Sequence, residues 1–241
     1  MGWYAHPIFS KQGGYPQIMI DVIGNNSMKE GRTTSRLPTM SDEMKTSLRG
    51  SADFFGLNYY TTRLVEKTSR QKGLSWENDV GLDFTIDSNW KRGKSIWLFS
   101  VPQGLHDVIV WIKNNYDNPP VFITENGWSD EGELYDDGRI EYLTTHLIAI
   151  SEAINKDKCN VIGYTLWSII DNFEWLLGYS EKIGIYQVNV ASPTLERIAK
   201  KSVGFMKDVI KKNAVTSDAF KSGPYIGLFI CALIIHKLIK Y

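Results

Sequence analysis

A parallel α/β fold is predicted by three observations. The short apolar runs Val121-Phe122-Ile123 and Val161-Ile162-Gly163-Tyr164 read as strands buried on both faces. Each run ends abruptly in polar residues, which places Glu125 and the Trp167-Ser168 pair where such strands present chemical groups. Along the chain the order is helix, strand, long loop, helix, strand, helix, strand, loop, helix, and that alternation argues for a parallel sheet with crossover helices. Three clear strands make a piece of a parallel barrel and not a whole one.

The elements follow in order. Residues 1–40 are dense in glycine, proline and polar groups and predict a long loop with short helical turns. Ser41 before Asp42 and Glu43 is a helix start, with Met44 and Leu48 one turn apart and an end near Gly50. Asp53-Phe54-Phe55-Gly56-Leu57-Asn58-Tyr59-Tyr60 predicts a strand rich in aromatics. Residues 63–100 are polar and irregular, with Trp76, Trp90 and Trp97 among them, and a loop that long often lines a site. Leu105, Val108 and Ile112 have helical spacing, and Pro119-Pro120 closes that element. Leu143, Leu147, Ile150 and Ile154 mark one face of a second helix, and Ile198, Phe205 and Val209, flanked by Met206 and Ile210, mark a third.

Composition sets bounds on function. Twenty-seven basic residues balance twenty-seven acidic ones, so nucleic acid is not indicated as a partner. Cys159 and Cys231 are too few for a disulfide framework, and Cys159, just before a strand, reads as a structural thiol. Asn25-Asn26-Ser27 is a glycosylation acceptor pattern that matters only in a secreted chain. The N-terminal residues carry neither a basic start nor an apolar stretch of the signal-peptide kind. Tyr225 to Ile235 is an apolar run of eleven residues, short of the roughly 20 that a spanning helix needs. A docking helix, a shallow interfacial anchor or a terminal exon product fits this tail better, with weak membrane contact through residues 225–239 as one reading. No phosphate loop, cofactor motif or metal-ligand spacing is present, and His106 and His146 fall on predicted helices.

Glutamate and tryptophan at strand ends suit sugar chemistry: a carboxylate can attack or hydrogen-bond, and a flat indole can stack on C–H faces. Eight tryptophans in the chain agree with that, although tryptophan is also a common core residue. Phe122-Ile123-Thr124-Glu125-Asn126-Gly127 resembles the nucleophile motif of glycoside hydrolase family 1, the β-glucosidase, myrosinase and lactase group. Trp167-Ser168 with Asp171-Asn172-Phe173-Glu174-Trp175 is similar to that family's glycone-binding segment. Residues 53–60 resemble its sixth barrel strand, and Gly2-Trp3-Tyr4-Ala5-His6-Pro7-Ile8-Phe9 with Gly14-Tyr15-Pro16 resemble its stretch after strand five. The likeness runs from about residue 2 to residue 212, and residues 213–241 form a tail outside the family core.

The resemblance implies part of a (β/α)8 barrel, strands six to eight with their helices, and retaining hydrolysis of β-glucosides without a cofactor. Retention uses two carboxyls about 5–5.5 Å apart. Glu125 matches the nucleophile, and Tyr60 the tyrosine whose hydroxyl reaches it. Glu174 matches the carboxylate that grips two sugar hydroxyls, Trp167 a stacking surface, and Trp175 an indole N–H donor. Asn58 is expected to support the ring, and Trp97 to stack on the leaving-group side. Asp130, Glu131 and Glu133 read as a solvated loop. Ile183 stands where the family usually carries phenylalanine. The family's acid/base glutamate lies in a Thr-Phe-Asn-Glu-Pro segment, and no such segment occurs among these residues. The expectation is a portion of a longer enzyme, inactive alone, with secretion or a lysosomal or vacuolar-type location following from the family. A myrosinase-like thioglucosidase and a non-catalytic sugar- or partner-binding relative are the alternatives.

Overall fold

Helices and strands alternate, as the apolar pattern requires, in the computed structural model, which describes residues 1–68 and 73–215 and the backbone of 226–227. In chain order they are α1 (Gly2–Phe9), α2 (Gln17–Lys29), α3 (Asp42–Leu48), β1 (Phe55–Asn58), β2 (Leu64–Lys67), α4 (Trp76–Val80), β3 (Leu82–Thr85) and α5 (Pro102–Tyr116). Then come β4 (Val121–Asn126), α6 (Asp137–Asn155), β5 (Val161–Leu166), a 3-10 turn (Trp175–Leu177), β6 (Tyr186–Val188), β7 (Arg197–Ala199), α7 (Lys201–Lys212), β8 (Ala214–Val215) and β9 (Ile226–Gly227). Two units are distinguished: Met1–Asp53 with Arg63–Ser88 and Ile112–Pro119, and Phe54–Thr62 with Asn89–Trp111 and Pro120–Tyr241.

In the first unit the expectation of a loop over residues 1–40 gives way to α1 and α2. Pro16 is the residue immediately before α2, so the proline that signals a break also prepares a helix start. Within α2 the buried face is Ile23, Asn26 and Ser27, two of the three polar: Asn26 donates to Asp79 at 2.8 Å, and the Ser27 hydroxyl donates to the Ile23 carbonyl. Arg36 closes this group with a 2.7 Å contact to Asp79. Such a helix has no apolar stripe to read, because side-chain hydrogen bonds anchor it. Helix α3 matches its sequence signal, with the Ser41 hydroxyl accepting from the Met44 N–H. The irregular stretch 63–100 contains the antiparallel hairpin of β2 and β3 and the short helix α4.

In the second unit the expected parallel sheet forms in the order β1-β4-β5. Leu105 and Ile109 of α5, and Leu143, Leu147 and Ile150 of α6, are fully buried, as are Val121 and Ile123 of β4. Leu105 and Ile109 alternate with exposed Gln103 and Asp107, so helical periodicity identified α5 correctly. Two features differ from the sequence reading. Ile198 belongs to strand β7 and is exposed, and the buried face of α7 is Val203, Met206 and Val209. The sheet is not buried on both faces either: Phe55 and Leu57 are buried, whereas Gly56, Asn58 and Ile162 are exposed. Three parallel strands do not close a barrel, so one face keeps its solvent. The apolar tail from residue 228 lies outside the described residues, and among the described residues no helix is long and apolar enough to cross a membrane.

His146 sits inside this core, fully buried against Tyr142 with ring centroids 3.7 Å apart. Its Nδ1 faces the Tyr142 carbonyl at 2.7 Å, and its Nε2 has no partner among the described residues. Burial lowers its pKa to about 4 from an ordinary 6.5, outweighing the opposing pull of the carbonyl. As pH falls from about 6.5 to about 4, the unfolded chain takes up a proton that the native core refuses. The stability due to this group is therefore complete above about pH 6.5 and is lost progressively toward pH 4, on the order of 3 kcal/mol in all. His146→Leu should flatten that limb. Urea midpoints measured between pH 4 and 7 on parent and variant check this; parallel profiles would contradict it.

Candidate functional site

The parallel register brings three strand ends level. Asn58 of β1 pairs with Glu125 of β4, and the Tyr59 N–H donates to the Glu125 carbonyl at 2.9 Å. One residue on, the Trp167 N–H donates to the Asn126 carbonyl at 2.9 Å. Polar residues that end three different strands thus converge at the carboxyl edge of the sheet, where open and closed α/β sheets carry their sites.

Glu125 is half-buried, and the Tyr60 hydroxyl donates to its Oε2 at 2.7 Å. Burial raises the Tyr60 pKa far above 10, and the hydrogen bond and negative charge of Glu125, then the charge of Glu174, raise it further. Tyr60 therefore keeps its proton and donates a hydrogen bond to Glu125. The Trp97 ring meets Tyr60 edge-on, with centroids 5.7 Å apart. Thr124 donates its hydroxyl to the Asn58 carbonyl oxygen at 2.6 Å, which leaves the Asn58 amide hydrogens facing outward. On the loop after β5, Trp167 donates its indole N–H to Glu174 Oε1 at 3.1 Å. The second Glu174 oxygen remains an acceptor for a ligand hydroxyl.

Six of the seven residues expected from the sequence therefore fall into three contact pairs or clusters: Glu125 with Tyr60 and Trp97, Asn58 with Thr124, and Trp167 with Glu174. Trp175 is the exception. It is 86% exposed, at φ 47° on the 3-10 turn, and does not join the other side chains. The arrangement offers one carboxylate held by a phenol and a second held by an indole, with aromatic faces beside both. It can hold a polyhydroxylated ring and direct an oxygen nucleophile at it.

Residues missed by the sequence reading support these groups. Asn126 is fully buried: its amide donates to the Tyr59 carbonyl at 2.8 Å and to the Tyr142 hydroxyl at 2.9 Å, and it accepts from Tyr164 at 2.9 Å. The Tyr142 hydroxyl donates in turn to the Tyr60 carbonyl at 2.7 Å. Both tyrosines look like ordinary stripe or strand residues in the sequence, and only the buried amide gives them a role. Asp130, expected in a solvated loop, is instead 7% exposed and ion-paired with Arg139 and Lys200. The reversal follows from Arg139, a residue on the first turn of α6 with no exposed surface of its own.

The profile of the glycosyl hydrolase family 1 matches residues 1–215. The chain belongs to this family. Over 210 residues it is 39% identical to Myrosinase 1 of Brevicoryne brassicae, covering 87% of this chain and 45% of that protein. It is 39% identical to human lactase/phlorizin hydrolase over 230 residues, which make up 94% of this chain and 12% of the relative. A solved structure of aphid myrosinase superposes with a TM-score of 0.79 at 38% identity, over 87% of this chain and 45% of the other. This family 1 chain thus spans less than half the length of these relatives and forms part of a (β/α)8 barrel.

Within the family 1 motif, Gly127 is fixed by space. A Cβ there would stand 1.7 Å from the Trp167 carbonyl oxygen, so the turn after Glu125 packs directly on the neighbouring strand end. Gly127→Ala should force the two strand ends apart and cost at least about 1–3 kcal/mol. Urea denaturation measures this, and a variant of parental stability would show that the contact is slack.

Proposed function

We propose that this chain carries the nucleophile and glycone-binding portion of a retaining β-glucosidase, with Glu125 as the nucleophile. The observation that carries the reading is the Tyr60 hydroxyl bonded to Glu125 at 2.7 Å, across the sheet edge from the Trp167–Glu174 pair at 3.1 Å. In this reading the Glu125 carboxylate attacks the anomeric carbon as the bond to the aglycone oxygen breaks, forming a glycosyl ester. Water then attacks the same carbon, the ester bond breaks, and the carboxylate is released with configuration retained. Tyr60 positions the attacking carboxylate and stays protonated throughout. Glu174 grips two hydroxyls of the sugar through charge-assisted bonds, Trp167 stacks on its face, and Asn58 reaches the ring from β1. Trp97 flanks the leaving-group side, and Trp175 supplies an indole N–H once its loop meets a ligand. Residues 1–212 form the hydrolase portion in this reading, with 213–241 outside it.

The second carboxyl that retention requires is supplied from outside these 241 residues, since no Thr-Phe-Asn-Glu-Pro segment occurs in them. Acid help is worth roughly 10²–10⁴-fold, so these residues by themselves should not turn over natural glucosides. A 2-deoxy-2-fluoroglucoside with a dinitrophenolate leaving group bypasses that acid and arrests the reaction at the ester. Incubated with the native full-length protein, it should add a single fluoroglucosyl group to the peptide containing Glu125. Glu125→Gln should abolish labelling. Attachment elsewhere, or a product of inverted configuration, would refute the assignment. Tyr60→Phe should slow labelling roughly tenfold to a hundredfold, the value of one hydrogen bond to a charged group; an unchanged rate would remove Tyr60 from the reaction.

A further inference from the structure

Five ionisable side chains outside the sugar-facing set are buried together. Asp130, Asp136, Arg139, Asp171 and Lys200 are exposed by 7%, 0%, 0%, 4% and 2%. Arg139 binds Asp136 at 2.8 Å and Asp130, and donates to the carbonyls of Trp128, Lys182 and Ile183. The Lys200 ammonium lies between two carboxylates, 3.4 Å from Asp130 Oδ1 and 3.3 Å from Asp171 Oδ1. Those two aspartates belong to different loops. Asp130 lies in the loop that leaves Glu125, and Asp171 lies in the loop that leads to Glu174.

The second loop is tied to its surroundings through Asp171. Its Oδ1 accepts from the Gly184 N–H at 3.0 Å, and its own N–H donates to the Tyr186 carbonyl at 2.9 Å. Lys200 is itself fixed, because its N–H donates to the Ile185 carbonyl at 3.0 Å. Just beyond it, Ser202 of α7 donates its N–H and hydroxyl to Asp136 at 2.8 and 2.6 Å. A buried ion cluster gives little net stability over an apolar replacement of the same shape. What it does give is a defined spacing between charged groups that cannot move apart without exposing one of them. Burial raises the Asp130 pKa, against the pull of Arg139 and Lys200, so the loss of either cation would be felt at once by this carboxylate.

We propose that Lys200 is a positioning residue for glycone binding: shared between Asp130 and Asp171, it holds the Glu174 loop at a fixed spacing from the Glu125 loop. The proposal rests on the reading of Glu125 and Glu174 given above. A purely structural role would alter stability alone, whereas this role alters how the sugar is gripped.

The test is the labelling reaction on the native full-length protein, with Ki and kinact measured separately. Lys200→Met combined with Asp171→Asn removes the tether while leaving the net charge of the buried cluster unchanged. The double variant should raise Ki for the fluoroglucoside by about tenfold or more, with kinact changed by less than about threefold. Val209→Ala, which opens the buried face of α7 away from either loop, should lower Tm and leave Ki unchanged. Lys200→Arg keeps the charge and alters the spacing, so it should raise Ki at near-parental Tm even where the double variant fails to fold. Unchanged Ki in the folded double variant, or in Lys200→Arg, would overturn the proposal. A parent protein that is never labelled at Glu125 would overturn the reading of the site instead, before any Lys200 variant was made.

Discussion

One buried amide, Asn126, holds the three strand ends of this chain in register. Its side chain joins the Tyr59 carbonyl, the Tyr142 hydroxyl and the Tyr164 hydroxyl, and its own carbonyl receives the Trp167 N–H. Every hydrogen-bonding group of that side chain is used, in a place with no solvent to substitute. Through Tyr59 it fixes β1, through Tyr164 it fixes β5, and through Tyr142 it reaches the Tyr60 backbone. Tyr60 and Glu125 meet because the residues on either side of each are already fixed. An apolar residue at 126 could fill the volume but could not specify three distances at once, and it would take from the buried Tyr164 hydroxyl its acceptor and from the Tyr142 hydroxyl its donor.

The carboxylates of the chain fall into two environments with different physics. Glu125 and Glu174 are half-buried, each meeting one neutral donor, a phenol or an indole. A neutral donor orients a carboxylate without cancelling its charge, so both retain free lone pairs for a ligand. Asp130, Asp136 and Asp171 are buried against Arg139 and Lys200, three carboxylates around two cations. The first pair therefore keeps open acceptors, and the second set is engaged by buried cations. The division is one of partner type more than of position, since Asp171 and Glu174 lie on the same loop.

How much of this was legible in the sequence depended on whether a residue's role was local. The sheet, α5 and α6 were readable because apolar periodicity reports burial directly, and Glu125 and Glu174 stood in recognisable motifs. Helix α2 was not readable, since its buried face has one apolar residue, Ile23, beside Asn26 and Ser27, which are held by Asp79 and by backbone contacts. Ile198 was drawn into a helix because an isoleucine at helical spacing looks the same on the short strand β7. Asp130 was taken as solvated because its partners, Arg139 and Lys200, stand nine and seventy residues away. Long-range charge pairing leaves no periodic trace, so the framework of the site was hidden while its tips were plain.

Strand alternation then explains why the same short segments can serve both purposes. In β1, Phe55 and Leu57 point into the core, and Gly56 and Asn58 between them face the open side. In β4, Val121 and Ile123 are buried completely, and Phe122, Thr124 and Glu125 are not. The alternation holds through Thr124 and breaks at Glu125, which shares the parity of Val121 and Ile123 yet is only half-buried, where the register shifts between Ile123 and Asn126. Just beyond the break, Asn126 and Gly127 are both buried. There the residues that close the core also make the contacts to the neighbouring strand ends, Asn126 to the Tyr59 carbonyl and Gly127 against the Trp167 carbonyl.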